Sequence, residues 1–322
     1  MKKITGLFFY LKNFIEDNYN HNVTKKAYKK YAQKFVRFTQ NKGVVAREVY
    51  AAPRKYIQLY ADWLIENGKS PNTVHTYIAP VCKALCINMN EINKPIRHST
   101  DVMKGSPETN TQGKHEREKT EFKRSVSFAD MVAIRRTEMK KLKKNDLILD
   151  ESGYLCVNVK KGKGGKSQLQ RVLPKYIEEV EKYFDGTNEK VFDEIELANK
   201  IDYHLGRRRI SVEAYDYYCQ ICLTEKGREQ LKKELIERFK AANIRYVKAK
   251  GRCDFKEMNR QLELFEKSME GKYILRGNVR KTAIERDMSL EYDKLPMMAV
   301  SVFHLSHWRN DVTIQHYILG WR

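Results

Sequence analysis

Residues 304–317 read His304-Leu305-Ser306-His307-Trp308-Arg309-Asn310-Asp311-Val312-Thr313-Ile314-Gln315-His316-Tyr317. Tyr317 follows His307 by ten positions and Trp308 by nine. A lone tyrosine in such a place is usually a packing residue. Three other segments change that reading, because each adds a cation or a phenol. The first is Ala133-Ile134-Arg135-Arg136-Thr137-Glu138-Met139. The second is the turn Gly162-Lys163-Gly164-Gly165, and the third is Tyr273-Ile274-Leu275-Arg276. A phenol has a pKa of about 10 and is a weak nucleophile at neutral pH. Guanidinium groups around it lower the cost of ionisation and hold a phosphate through paired hydrogen bonds.

The whole chain is cationic. Its 62 Lys and Arg against 41 Asp and Glu give a net charge of +21 over 322 residues. The surplus is spread along the chain, not gathered on one amphipathic helix. That favours nucleic acid over an anionic membrane surface as the partner. Hydrophobic residues make up 41%, too many for a disordered chain. No apolar run is long enough to span a membrane. Lys12, Glu16 and Asp17 break the apolar start, which does not read as a signal peptide. Cys82, Cys86, Cys156, Cys219, Cys222 and Cys253 suit a reduced, cytoplasmic compartment. Cys219-Gln220-Ile221-Cys222 has zinc-like spacing, but no second pair completes four ligands. Gly162–Ser167 ends like a phosphate-binding P-loop, yet Lys160 stands where the leading glycine is needed and a strand follows instead of a helix. No metal and no cofactor is expected.

The periodicity predicts helices over residues 1–95. Thr24 can cap one running to about Gly43, with Tyr28, Tyr31, Ala32, Phe35 and Phe38 on one face. Lys25, Lys29, Lys30 and Arg37 lie on the rest and can meet phosphates. Tyr56–Glu66 forms another helix. Ser70-Pro71 starts a further one, which Pro80 should kink. Residues 96–125 are polar and read as a linker. In 126–322 a helix is expected over Ser127–Lys143. Strands over Tyr154–Lys160 and Leu169–Leu173 should form a hairpin with a glycine-rich tip. A helical, charged insertion is expected over about 200–270, and a helix opened by Tyr273 and Arg276 should end at Asp287.

Taken in order, the four segments resemble the tyrosine recombinase (phage integrase) family. Its first box, G-L-R-x-S-E-L, is matched by AIRRTEM with Arg135 as the arginine, and Ala133 replaces the usual glycine. Its hairpin lysine sits in a G-K-G turn, as Lys163 does. Its second box, H-x-L-R, reads here Tyr273-Ile274-Leu275-Arg276, with Arg280 as a competing arginine. Its third box, L-G-H, is matched by Leu305-Ser306-His307, and Trp308 is the other candidate for that role. Tyr317 takes the place of the nucleophile. HLSHWRNDVT looks most like integrases of conjugative transposons from Gram-positive bacteria.

The resemblance implies a mainly α fold with a small β-sheet or hairpin. A helical, SAM-like core-binding domain would precede the catalytic domain. It implies catalytic roles for Arg135, Lys163, Tyr273, Arg276, His307 and Tyr317, with Glu138 and Trp308 supporting them. Arg136, Lys161 and Lys166 would make non-specific DNA contacts. The reaction implied is site-specific cleavage and rejoining of DNA through a 3′-phosphotyrosyl link and a Holliday junction, without metal or ATP. The partner implied is double-stranded DNA, held as two duplexes by a homo-tetramer on the nucleoid, with a DNA-bending or directionality factor as a further partner. The biological setting is integration of a mobile element. The same chemistry would serve a resolvase of chromosome or plasmid dimers, and a DNA-binding regulator could keep the fold without catalysis.

Overall fold

The structure, a computed structural model, describes residues 6–96, 115–162, 167–197, 201–250 and 255–319. Lys163, Lys166 and Cys253 lie outside the described residues, as does most of the segment read as a linker. The protein is mainly helical with two small antiparallel sheets, and it divides into units Met1–Ser99 and Thr100–Arg322. Among the described residues no helix is long and apolar enough to cross a membrane.

The first unit packs α1 (Leu7–Asn18), α2 (Asn22–Asn41), α3 (Ala46–Ala51), α4 (Pro53–Glu66) and α5 (Pro71–Ala84) around one apolar core. Ala32, Phe35, Val36 and Phe38 turn inward from α2 and meet Ile57, Tyr60 and Leu64 of α4. Each such side chain, once buried, contributes about 1.5–3 kcal/mol. Ser70 caps α5 by accepting the Thr73 amide at 3.3 Å. One detail differs from the sequence reading: the cap position of α2 is His21, so Thr24 lies inside the helix. Helix α5 continues past Pro80 to Ala84.

In the second unit the segment 115–125, read as linker, is folded: Arg117 bonds the Asp202 carbonyl at 2.6 Å and also reaches Asp130. The helix expected over Ser127–Lys143 is two helices. Helix α6 (Lys123–Met131) stops, Val132–Arg135 runs extended, and α7 (Arg136–Met139) begins. Two β-branched residues, Val132 and Ile134, favour the extended break. Glu138 then accepts the Arg135 amide at 2.9 Å, which closes the first turn of α7. Strands β1 (Leu147–Leu149), β2 (Leu155–Val159) and β3 (Gln168–Arg171) form the expected antiparallel hairpin with a third strand beside it.

After α8 (Ile177–Glu181) comes α9 (Tyr203–Ile221), then α10 (Glu225–Lys250) and α11 (Phe255–Ser268). Helix α9 was read as part of an insertion, but it is the central helix of this unit. Ile210, Ala214, Tyr215 and Tyr218 are buried on it, in the same core as the carboxyl-terminal segments. A Cβ on Gly206 would stand 2.4 Å from the Ala129 carbonyl oxygen, so only glycine lets α9 cross α6 this closely. Strand β4 (Lys272–Ile274) pairs with β5 (Glu291–Asp293), and α12 (Gly277–Glu285) lies between them. Tyr273 is therefore in a strand, where a helix opening was expected. Pairing with Tyr292 across the ladder overrides the local helical pattern. Helix α13 (Lys294–Ala299), a π-helix at Val300–Leu305, α14 (Asn310–Thr313) and a second π-helix at Ile314–Ile318 complete the chain.

A buried ionic network ties α10 to the three-stranded sheet. Arg171 of β3 pairs with Asp150 at 2.7 Å and with Glu234 of α10 at 2.7 Å. Arg238 of α10 reaches the same Asp150 carboxylate at 2.6 Å. The Arg171 guanidinium also stacks 3.6 Å from the Phe303 ring centre. Burial alone would raise the Asp150 pKa. The Arg171 charge and its hydrogen bonds outweigh burial and hold the carboxyl below the usual range. The folded-state pKa is thus depressed, so this contribution is complete above the unfolded value of about 4 and is lost as pH falls through the folded value. Asp150→Asn leaves two buried guanidinium groups short of a counter-charge. Urea unfolding should show a loss of about 3–5 kcal/mol at neutral pH, and a loss that shrinks on acidification below about pH 4.

Candidate active site

Tyr317 sits on the second π-helix, and only 8% of its surface is exposed. Its hydroxyl lies 3.2 Å from His307 Nε2, and the two rings are 5.5 Å apart. His307 is held by an unusual backbone. Ser306 before it and Trp308 after it both take positive φ, 56° and 59°, without being glycine. The His307 amide donates to the Ser301 carbonyl at 2.9 Å, and Ser301 Oγ accepts the Arg309 amide at 2.8 Å. The same bend packs Trp308 against Phe239 and Phe265, at 5.8 and 5.6 Å between ring centres. Of the two sequence candidates, the structure puts His307 against the tyrosine.

Beneath the Tyr317 ring lies an arginine that the sequence reading did not single out. The Arg207 guanidinium centre is 5.5 Å from the ring centre, and Arg207 is completely buried. It donates to the Ala133 carbonyl and, at 3.5 Å, to the Leu305 carbonyl. Its Nε has no hydrogen-bond partner and its charge no ion pair among the described residues. Burial lowers its pKa; the field of Tyr317 opposes this and that of Arg135 adds to it. A guanidinium still stays protonated at neutral pH.

Arg135 is at the junction between α6 and α7. Its guanidinium pairs with Glu138 at 2.7 Å, and Glu138 is itself buried. This one carboxylate therefore closes α7 through the Arg135 amide and also orients the Arg135 side chain. Gln170 of β3 locks the loop in place by donating to the carbonyls of Ala133 at 2.9 Å and His304 at 3.1 Å. His304 itself is in the core, bonded to the Tyr218 hydroxyl at 3.1 Å. Burial, with Arg171 nearby, pushes its pKa down to about 3, so it is a neutral packing residue. His204, one turn before Arg207 on α9, keeps contact with solvent. Desolvation by the protein around it is the main cause of a lowered pKa, followed by the charges of Arg207, Asp202 (which opposes), Arg208 and Arg135.

The remaining candidates fall elsewhere. Arg276 and Arg280 are exposed at the start of α12. Tyr273 is half-buried, and burial raises its pKa; Asp311 adds to this, while a hydrogen bond with Gln315 and the charge of Arg276 oppose it. Tyr273 thus lies near Asp311 and Gln315, and no hydrogen bond joins Tyr273 or Arg276 to the Tyr317 hydroxyl among the described residues. Arg136 donates to the Leu197 carbonyl at 3.0 Å, so its guanidinium is partly committed within the unit. Lys161 is exposed at the hairpin. In the first unit Lys25 and Lys29 pair with Glu16, whereas Lys30 and Arg37 are exposed.

The sequence did contain a signal for Arg207. His204-Leu205-Gly206-Arg207 keeps both the histidine and the arginine of an H-x-x-R spacing, whereas residues 273–276 lack the histidine. Together, Arg135, His204, Arg207, His307 and Tyr317 form a cationic pocket around one phenol. Such a pocket can bind an oxyanion and favour ionisation of the phenol at the same point.

No family model matches the sequence, and the comparison with curated proteins returns no match. Among solved structures, the chain is similar to that of XerA recombinase at 16% identity, with a TM-score of 0.23. The match covers 66% of this chain and 84% of that one. The site geometry alone leads to a direct test. In an NMR titration the His204 imidazole should have a midpoint below the ordinary value of about 6.5. Arg135→Gln should move that midpoint partly back up, since it removes one of the neighbouring cations but not the desolvation. A midpoint at or above 6.5 would contradict the pocket described.

Proposed function

We propose that the protein is a site-specific DNA recombinase of the tyrosine class, and that Tyr317 is its nucleophile. One observation carries the reading: a buried, ion-pair-free guanidinium, Arg207, lies under Tyr317, whose hydroxyl is bonded to the half-buried His307. Buried charges are normally paired, and a phosphate is the anion that suits two arginines, a histidine and a chain at +21.

In this reading Tyr317 Oη attacks the phosphorus of a DNA phosphodiester. His307 Nε2 takes the phenolic proton and, once protonated, donates to a non-bridging oxygen. Arg135 and Arg207 bind the non-bridging oxygens as charge builds on them. The bond from phosphorus to the 5′-oxygen breaks, and Lys163 gives that oxygen its proton. The products are a 3′-phosphotyrosyl link and a free 5′-hydroxyl. The link retains the phosphodiester bond energy, so rejoining requires neither ATP nor metal. Glu138 positions Arg135. We assign the second arginine to Arg207 with His204 beside it, in place of Arg276 and Tyr273, because Arg207 adjoins the nucleophile and Arg276 does not. Arg276, Arg280, Lys30, Arg37, Lys161 and Lys166 are left for the DNA backbone.

The partner in this proposal is duplex DNA, with four protomers joining two duplexes through a Holliday junction. A mobile-element integrase, helped by a bending or directionality factor, is the setting favoured by the residues around Tyr317. The test uses a nicked DNA site that traps the covalent complex. Tyr317→Phe should abolish the protein–DNA adduct and leave gel-shift affinity nearly unchanged. Arg207→Lys should slow adduct formation by about 100- to 1,000-fold, and Arg276→Gln by far less. An undiminished adduct with Tyr317→Phe would remove Tyr317 from the chemistry, and a larger loss with Arg276→Gln would restore the other assignment.

A further inference from the structure

The segment between α9 and α13 grips both ends of the stretch that carries His307 and Tyr317. At one end the Trp308 indole is packed against Phe239 of α10 and Phe265 of α11, whose own rings stack at 4.6 Å. Next to it, Asn310 Nδ2 donates to the Ser268 carbonyl at the end of α11, at 2.9 Å. Further along, Gln315 lies close enough to the Tyr273 phenol of β4 to lower its pKa against the effect of burial. Gln315 is buried and lies two positions before Tyr317. So Trp308 and Asn310 are fastened to α10 and α11, and Gln315 lies beside β4.

The gripped stretch is one that would not hold its shape alone. Two non-glycine residues at positive φ cost energy and persist only where the surroundings impose them. Tyr317 lies in a π-helix, which differs from an α-helix by one residue of register. A shift of that register would carry the Tyr317 hydroxyl away from both His307 and Arg207.

We infer that α10, α11 and β4 form an internal clamp that sets the position of the nucleophile, with Trp308, Asn310 and Gln315 as positioning residues. This rests on the proposed role of Tyr317, and it assigns a task to helices that residues 304–317 alone would not reveal. The clamp acts on the rate of strand cleavage, not on DNA affinity, because none of its three contacts adds a cation to the DNA-facing surface.

The test uses the full chain with the nicked site at saturating protein. Trp308→Ala should slow adduct formation by about a hundredfold, as expected for a displaced reacting atom, with gel-shift affinity unchanged. Trp308→Phe should recover most of the rate. Phe265→Ala should slow it as well, and the double variant should be no slower than the worse single one, since both remove the same contact. Amide hydrogen exchange provides a readout independent of cleavage. Trp308→Ala should speed exchange over residues 309–318 while α9 stays protected. A wild-type rate with Trp308→Ala, additive losses, or equal exchange changes throughout the unit would overturn the clamp. If the wild-type chain makes no adduct, the proposed function fails instead, and the exchange pattern still decides whether the clamp exists.

Discussion

The arrangement of the second unit depends on the burial of the Arg207 guanidinium without an ion-paired carboxylate. A charge in that position is costly unless something compensates it. Here the compensation is partial: two backbone carbonyls, an aromatic ring, and the more distant Glu138. Each of these belongs to a different element, so placing Arg207 on α9 requires the α6–α7 link, α7 and the carboxyl-terminal π-helices to assemble around it. Gly206 supplies the space for that assembly by letting α9 approach the α6 backbone.

Two ionic systems with opposite characters lie in the same unit. Around Arg171 every charge is answered, by Asp150, Glu234 and the shared Arg238. That network is closed and fastens α10 to the sheet. Around Arg207 the cation Arg135 adds to the positive field and Glu138 opposes it, while the same positive charges help to keep the neighbouring His204 neutral. That system is open and electropositive. The contrast separates a structural use of buried arginine from one suited to an incoming anion.

The surface charge has a similar division. Some lysines of α2 are already paired with Glu16, whereas Lys30 and Arg37 face solvent. A net charge of +21 draws polyanions from a distance, but only the exposed, unpaired cations can displace counterions from a phosphate backbone.

Much of this was legible in the chain alone. Periodicity located α2, α4 and α5 of the first unit and the β2–β3 hairpin, because those depend on neighbours close in sequence, whereas the short α3 was not anticipated. Arg135 and Glu138, three residues apart, are in contact, and so are His307 and Tyr317, ten apart. Tertiary structure decided the rest. Arg207 meets Tyr317 across 110 positions of chain, and Trp308 packs against Phe239 and Phe265, which arrive from α10 and α11. Tyr273 became a strand residue through pairing with Tyr292, a partner that no local pattern announces. Local sequence specifies the conformations that near neighbours can enforce; which distant side chains share a pocket is settled only when the helices pack.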